Sequence, residues 1–137
     1  MDLERFIVAH KRYFKIALKE IKNGYKESHW MWFIFPQLEF LGYSETAKYY
    51  GIKNKAEAIA FLNDEYLGTN LIEITENVLK LEDSMEYVFG EIDEKKLQSS
   101  MTLFYLVSGN EIFKEVLNRF YDGKLDEKTK RFIEKNN

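Results

Sequence analysis

An all-α fold, a single-domain orthogonal bundle of several helices over residues 1–137, is what this sequence predicts. Three observations carry it. Apolar residues recur at spacings of three and four through most of the chain, the repeat of a helix with one buried face. Most of these runs open on Ser, Asp or Asn and most close on Gly, the residues that cap helix ends. Only seven Gly and one Pro in 137 residues leave too few turns for a multi-strand β architecture. Hydrophobic residues at 45% and aromatics at 16% are enough to fill one core.

The elements follow in order. Asp2 is a capping candidate for a long first helix. Leu3, Phe6, Ile7, His10, Phe14, Ala17, Leu18 and Ile21 mark its buried stripe, and Asn23-Gly24 ends it. Ser28 is expected to cap one or two buried turns from His29 to Ile34. Trp30 to Phe35 is apolar at all six positions, so it has no solvent face. A central strand is the competing reading, because aromatic and β-branched residues favour strands. Pro36 stops a helix at this point in either case.

Leu38 to Tyr43 has no period and reads as a loop. Ser44 caps a short helix through Tyr50, stopped by Gly51. Asn54 and Glu57 form a capping box for a helix to about Leu62. Leu67, Leu71, Ile74, Thr75 and Val78 mark a helix ending near Leu81, with Gly68 inside the pattern. Ser84 opens a short turn closed by Gly90. Asp93 is expected to cap the next helix, whose stripe is Leu97, Met101, Phe104 and Tyr105. Asn110 caps a helix ended by Gly123, and Asp126 caps a last one holding Phe132 and Ile133.

Composition narrows the function. Net charge is −3, so there is no basic footprint for nucleic acid. The absence of cysteine removes disulfides and thiolate metal sites, and two separated histidines make a metal centre unexpected. No run of about 20 apolar residues crosses a membrane. The charged start Met-Asp-Leu-Glu-Arg is no signal peptide, so a cytoplasmic protein is expected. No phosphate loop, EF-hand, nucleophile elbow or His-Glu-x-x-His motif occurs, and no cofactor is implied.

Two stretches are left unexplained by helix grammar. One is Ser28-His29-Trp30-Met31-Trp32-Phe33-Ile34-Phe35-Pro36-Gln37. The other is Lys96-Leu97-Gln98-Ser99-Ser100-Met101-Thr102-Leu103-Phe104, where Ser99, Ser100 and Thr102 crowd a helix interior that disfavours them. Small residues there would let another helix approach. Lys96, Ser99 and Ser100 would also share one face, an ammonium beside two hydroxyls that suits an anion near a helix N-terminus. His29 is the acid–base candidate, since an imidazole titrates near neutrality. Trp30 and Trp32 could stack a ring or fill the core, and Gln37 could read a ligand or tie down the loop.

The same two stretches, with Leu3-Glu4-Arg5-Phe6, Tyr50-Gly51-Ile52, Leu67-Gly68 and Phe89-Gly90, resemble the bacterial family known as domain of unknown function 1810. The resemblance covers nearly the whole chain. It implies a small, mainly helical protein with no established activity. The name calpastatin attached to some members belongs to a disordered inhibitor, and this composition is globular. The family pattern has arginine where this chain has Gln98, histidine at Asp64 and glutamine at His10, which removes one positive charge from the Lys96 helix.

The expectation that follows is a pocket between the two stretches for an anionic, ring-containing small molecule such as a nucleotide or ADP-ribose-like compound. Ser28, Trp30, Trp32, Gln37, Lys96, Ser99, Ser100 and Thr102 would line it, with His29 moving a proton. A protein-interaction module or a ligand-free structural domain are the alternatives, and the sequence names no reaction.

Overall fold

Nine α-helices run through the described residues, 1–136, of the computed structural model. They are α1 (Glu4–Lys22), α2 (Met31–Ile34), α3 (Glu45–Tyr50), α4 (Lys55–Asn63), α5 (Glu65–Val78), α6 (Met85–Phe89), α7 (Glu91–Ser108), α8 (Glu111–Tyr121) and α9 (Glu127–Lys135). α7 is the hub: it packs against α4, α6, α8 and α9 and touches α2, while α1 lies on α5 and α2. One contiguous core runs from Phe6 through Ile34, Leu71 and Phe104 to Ile133.

Local chemistry accounts for most helix starts. Ser44, Asn54, Ser84, Asn110 and Asp126 each accept a hydrogen bond from a backbone N–H of the first turn they cap. Asp64 does the same for α5 and accepts from the Tyr66 and Leu67 amides, a cap that the periodic pattern did not reveal. Asp2 accepts from the Glu4 amide at 2.9 Å. Two glycines are required by close approach. A Cβ on Gly68 would stand 2.0 Å from the Leu62 carbonyl oxygen, and one on Gly51 2.4 Å from Glu39 Cα. Gly68 therefore lets α4 and α5 meet, and Gly51 lets the chain pass the loop before α3.

Three expectations are corrected. The aromatic stretch is neither a strand nor a helix capped by Ser28: only Met31–Ile34 is helical, and the Ser28 hydroxyl donates to Glu20 instead. A carboxylate nearby outcompetes the helix end for that hydroxyl. The loop from Leu38 contains a 3₁₀ turn at Glu39–Leu41. Asp93 does not cap α7, which opens two residues earlier behind Gly90. Asp93 sits in the first turn and binds two lysines, Lys96 three residues on along the same helix and Lys26, whose approach no local pattern signals.

The N-terminal family motif is tied to the middle of the chain. The Arg5 guanidinium donates to both Glu57 carboxylate oxygens at 3.1 Å and to the Tyr49 carbonyl at 2.7 Å. Both Glu57 contacts come from Nη2 while Nε serves the Tyr49 carbonyl, so the planar guanidinium is held by two of its nitrogens on two different residues. It holds α1 against the Tyr50-Gly51-Ile52 turn, which in turn supports the candidate site.

Candidate functional site

The first half of the aromatic stretch is closed on itself. Glu20, on α1, accepts from the Glu27 amide (2.8 Å), the Ser28 amide (3.0 Å), the Ser28 hydroxyl (2.5 Å) and the Trp30 indole N–H (2.9 Å). Burial pushes the Glu20 carboxyl up, and these donated hydrogen bonds outweigh it, leaving the group below its ordinary value. Trp30 is 1% exposed. It packs against Phe35 and Phe89 within the core.

His10 pins the centre of the stretch. Its Nε2 lies 2.6 Å from the Phe33 carbonyl oxygen and its Nδ1 3.1 Å from the Asn70 amide nitrogen. Both contacts are satisfied by one neutral tautomer, in which Nε2–H donates to Phe33 and Nδ1 accepts from Asn70. Burial drives its pKa down to about 4, against the smaller opposing pulls of the Phe33 carbonyl and Asp64. It is a structural histidine.

The second half is different. An isolated parallel bridge joins Leu38 to Ile52, with the Ile52 amide donating to the Gln37 carbonyl at 2.9 Å and the Glu39 amide to the Ile52 carbonyl at 3.0 Å. This fixes the backbone of Gln37. Its carboxamide has no hydrogen-bond partner among the described residues, although Gln37 is only 3% exposed. It lines a cleft of about 650 Å³ whose walls are Trp32, the loop from Leu41 to Ser44, α7 through Ile92, Lys95, Lys96 and Ser99, and the start of α9 through Asp126, Lys128 and Arg131. Its polar atoms open onto this cleft, since Ser100 Oγ is the one fully buried side-chain polar atom without a partner among the described residues. Four cations and two carboxylates line the cleft (Lys95, Lys96, Lys128, Arg131 against Asp126, Glu127), so it is cationic in a chain of net charge −3.

Lys96 is aimed by its neighbours. Its ammonium lies 3.1 Å from one Asp93 oxygen, while Lys26 reaches the other at 2.8 Å. Burial pushes the Asp93 carboxyl up, and the two lysines override this and hold it below its ordinary value. Lys96 also stands 5.8 Å above the Trp32 ring. The two unexplained stretches therefore meet, at Trp32 and Lys96.

The expected residues are divided by this geometry. Trp32, Gln37, Lys96 and Ser99 line the cleft. His29 is exposed and lines a separate hollow of about 80 Å³ with Lys26, Asp93 and Lys96, away from Gln37 and Ser99. Four residues carry architecture instead of lining the cleft. Ser28 and Trp30 serve Glu20; Thr102 donates to the Gln98 carbonyl and accepts from the Asp126 amide, fixing α9 on α7. Ser100 is fully buried with its hydroxyl unpaired, so the small-residue reading fits it better than a ligand contact. Tyr43, Lys95, Lys128 and Arg131 were not legible as site residues: a lysine on a helix or a tyrosine in a loop reads as solvated surface until the fold sets it beside Gln37.

Fold and cleft together define a small helical protein with a cationic, partly aromatic surface cleft. Among the described residues no group of three or more His, Asp or Glu could hold a metal, and no helix is long and apolar enough to cross a membrane. The chain belongs to the family described as "Protein of unknown function (DUF1810)", whose pattern matches residues 1–133. Its structure is similar to that of the conserved hypothetical protein Rv1873 from Mycobacterium tuberculosis, at 40% identity and a TM-score of 0.95, covering 97% of this chain and 96% of that one. No curated protein matches the sequence.

Proposed function

We propose that the cleft binds an anionic, ring-containing small molecule of the nucleotide or ADP-ribose class, in a cytoplasmic setting. The observation that carries this reading is the Gln37 carboxamide, held by its backbone, without a protein partner and open to the wall of a cleft lined by lysines and an arginine. Lys95, Lys128 and Arg131 form no ion pair among the described residues, so the charge at this wall is available to a ligand. Lys96 supplies a further cation from its place beside Asp93. Tyr43, 92% exposed at the rim, offers a face for a ring. Trp32 forms the floor. His29 has no part in holding the ligand; acid–base chemistry there would need the ligand to extend past Lys96 into the neighbouring hollow.

The test is calorimetric titration of the protein with AMP and with ADP-ribose, repeated on Gln37→Met. Methionine keeps the volume and removes the amide. Wild type should bind at least one of the two, and the variant should bind it about tenfold more weakly, the effect of about 1–1.5 kcal/mol for one hydrogen bond. Equal binding by the two proteins would remove Gln37 from the site, and no binding by either would end the proposal.

A further inference from the structure

We infer that the ligand is two-ended, a dinucleotide-like molecule whose linking diphosphate lies on Lys128 and Arg131 and whose second ring rests on Phe40 and Phe132; this rests on the cleft reading above. The observation is a second hollow, of about 370 Å³, further along α9 towards its C-terminal end. It is lined by Phe40, Phe132 and Lys135, and it shares Lys128 and Arg131 with the main cleft. Those two cations are one helical turn apart and stand where the two hollows join. A phosphate group held there faces both.

The second hollow has its own ring platform. Phe40 and Phe132 stack with centroids 5.4 Å apart and an interplanar angle of 24°. Phe40 is 46% exposed, a large apolar side chain left on the surface next to cations. Exposed aromatic faces beside basic side chains are the arrangement on which nucleobases stack. On the far side of the shared cations the main cleft offers Tyr43 and the Gln37 amide. The order along the surface is ring face, cations, ring face. The net charge of −3 favours a short anion at this one basic face over a long polyanion.

The experiment compares ADP-ribose, with one base, to diadenosine diphosphate, with a base at each end, by calorimetric titration. Wild type should bind diadenosine diphosphate about tenfold or more tightly than ADP-ribose, the gain expected of one stacked base. Phe40→Ala should erase that advantage and leave ADP-ribose affinity unchanged. Lys135→Ala, at a position lining only the second hollow, should shrink the advantage without touching ADP-ribose; it serves also if Phe40→Ala proves poorly folded. Equal affinity for the two probes in wild type, with ADP-ribose still bound, overturns the two-ended ligand and leaves the cleft reading standing. So does an advantage that survives both substitutions. Binding of neither probe overturns both.

Discussion

The ten-residue aromatic stretch has two halves that treat their polar groups in opposite ways. From Ser28 to Phe33 its polar atoms are largely paired: Glu20 collects four donors, and His10 takes the Phe33 carbonyl. At Gln37 the backbone is paired and the side chain is not. Both halves are buried as residues, but the Gln37 carboxamide opens onto the cleft while the Trp30 indole N–H is closed onto Glu20. What separates them is whether the protein itself completes the hydrogen bonds. A completed network fixes architecture; an incomplete one, at the wall of a cleft, is where something else can add stability by binding.

The largest break in this contrast should come from the closed half. Trp30→Ala should destabilise the fold by about 3–5 kcal/mol, because it opens a cavity and takes one donor from Glu20. Urea denaturation measures it. A midpoint equal to wild type would show that the closed half is not the structural one.

Acid provides the next test. His10 titrates near 6.5 when unfolded and near 4 in the fold. Between those values the unfolded chain holds more protons, so stability is complete above pH 6.5 and falls as the pH drops towards 4. The ceiling is about 3 kcal/mol. Glu20 and Asp93, both held below their ordinary values, lose their contributions only as the pH falls below the usual carboxylate range. The window from 6.5 to 4.5 thus reports chiefly on His10. His10→Gln should flatten stability there; an unchanged slope would move the effect to another group.

The smallest stability effect is expected at the open half. Lys96→Ala removes a cation from the early turns of α7, where it opposes the helix dipole, and Asp93 keeps Lys26 as its partner. The change should stay within about 1 kcal/mol, since the pair is partly solvated. Anion affinity should fall in the same variant. A protein melting far below wild type would make Lys96 a structural ion pair and place it with the closed half.

Much of the fold was legible because helix grammar is local. Asn54, Ser84, Asn110 and Asp126 announce their helices through side chains that reach only two or three residues on. Ser28 and Asp93 misled for the complementary reason. Their partners lie beyond the reach of a cap, Glu20 on the preceding helix and Lys26 far back in the chain, and a carboxylate or an ammonium displaced the local cap. The site was half legible on the same grounds. Trp32, Gln37 and Lys96 stood out because their stretches fit no local rule, whereas Lys128 and Arg131 fit the pattern of a solvated α9 too well to be noticed.

The bridge between Leu38 and Ile52 has a kinetic consequence. It presents the Gln37 amide from a main chain already tied on both sides, so a ligand arriving there has no segment to order first. Encounter would be simple docking, accelerated by the basic wall, and related ligands would arrive at similar rates. Selectivity among them would then reside in how long each one stays.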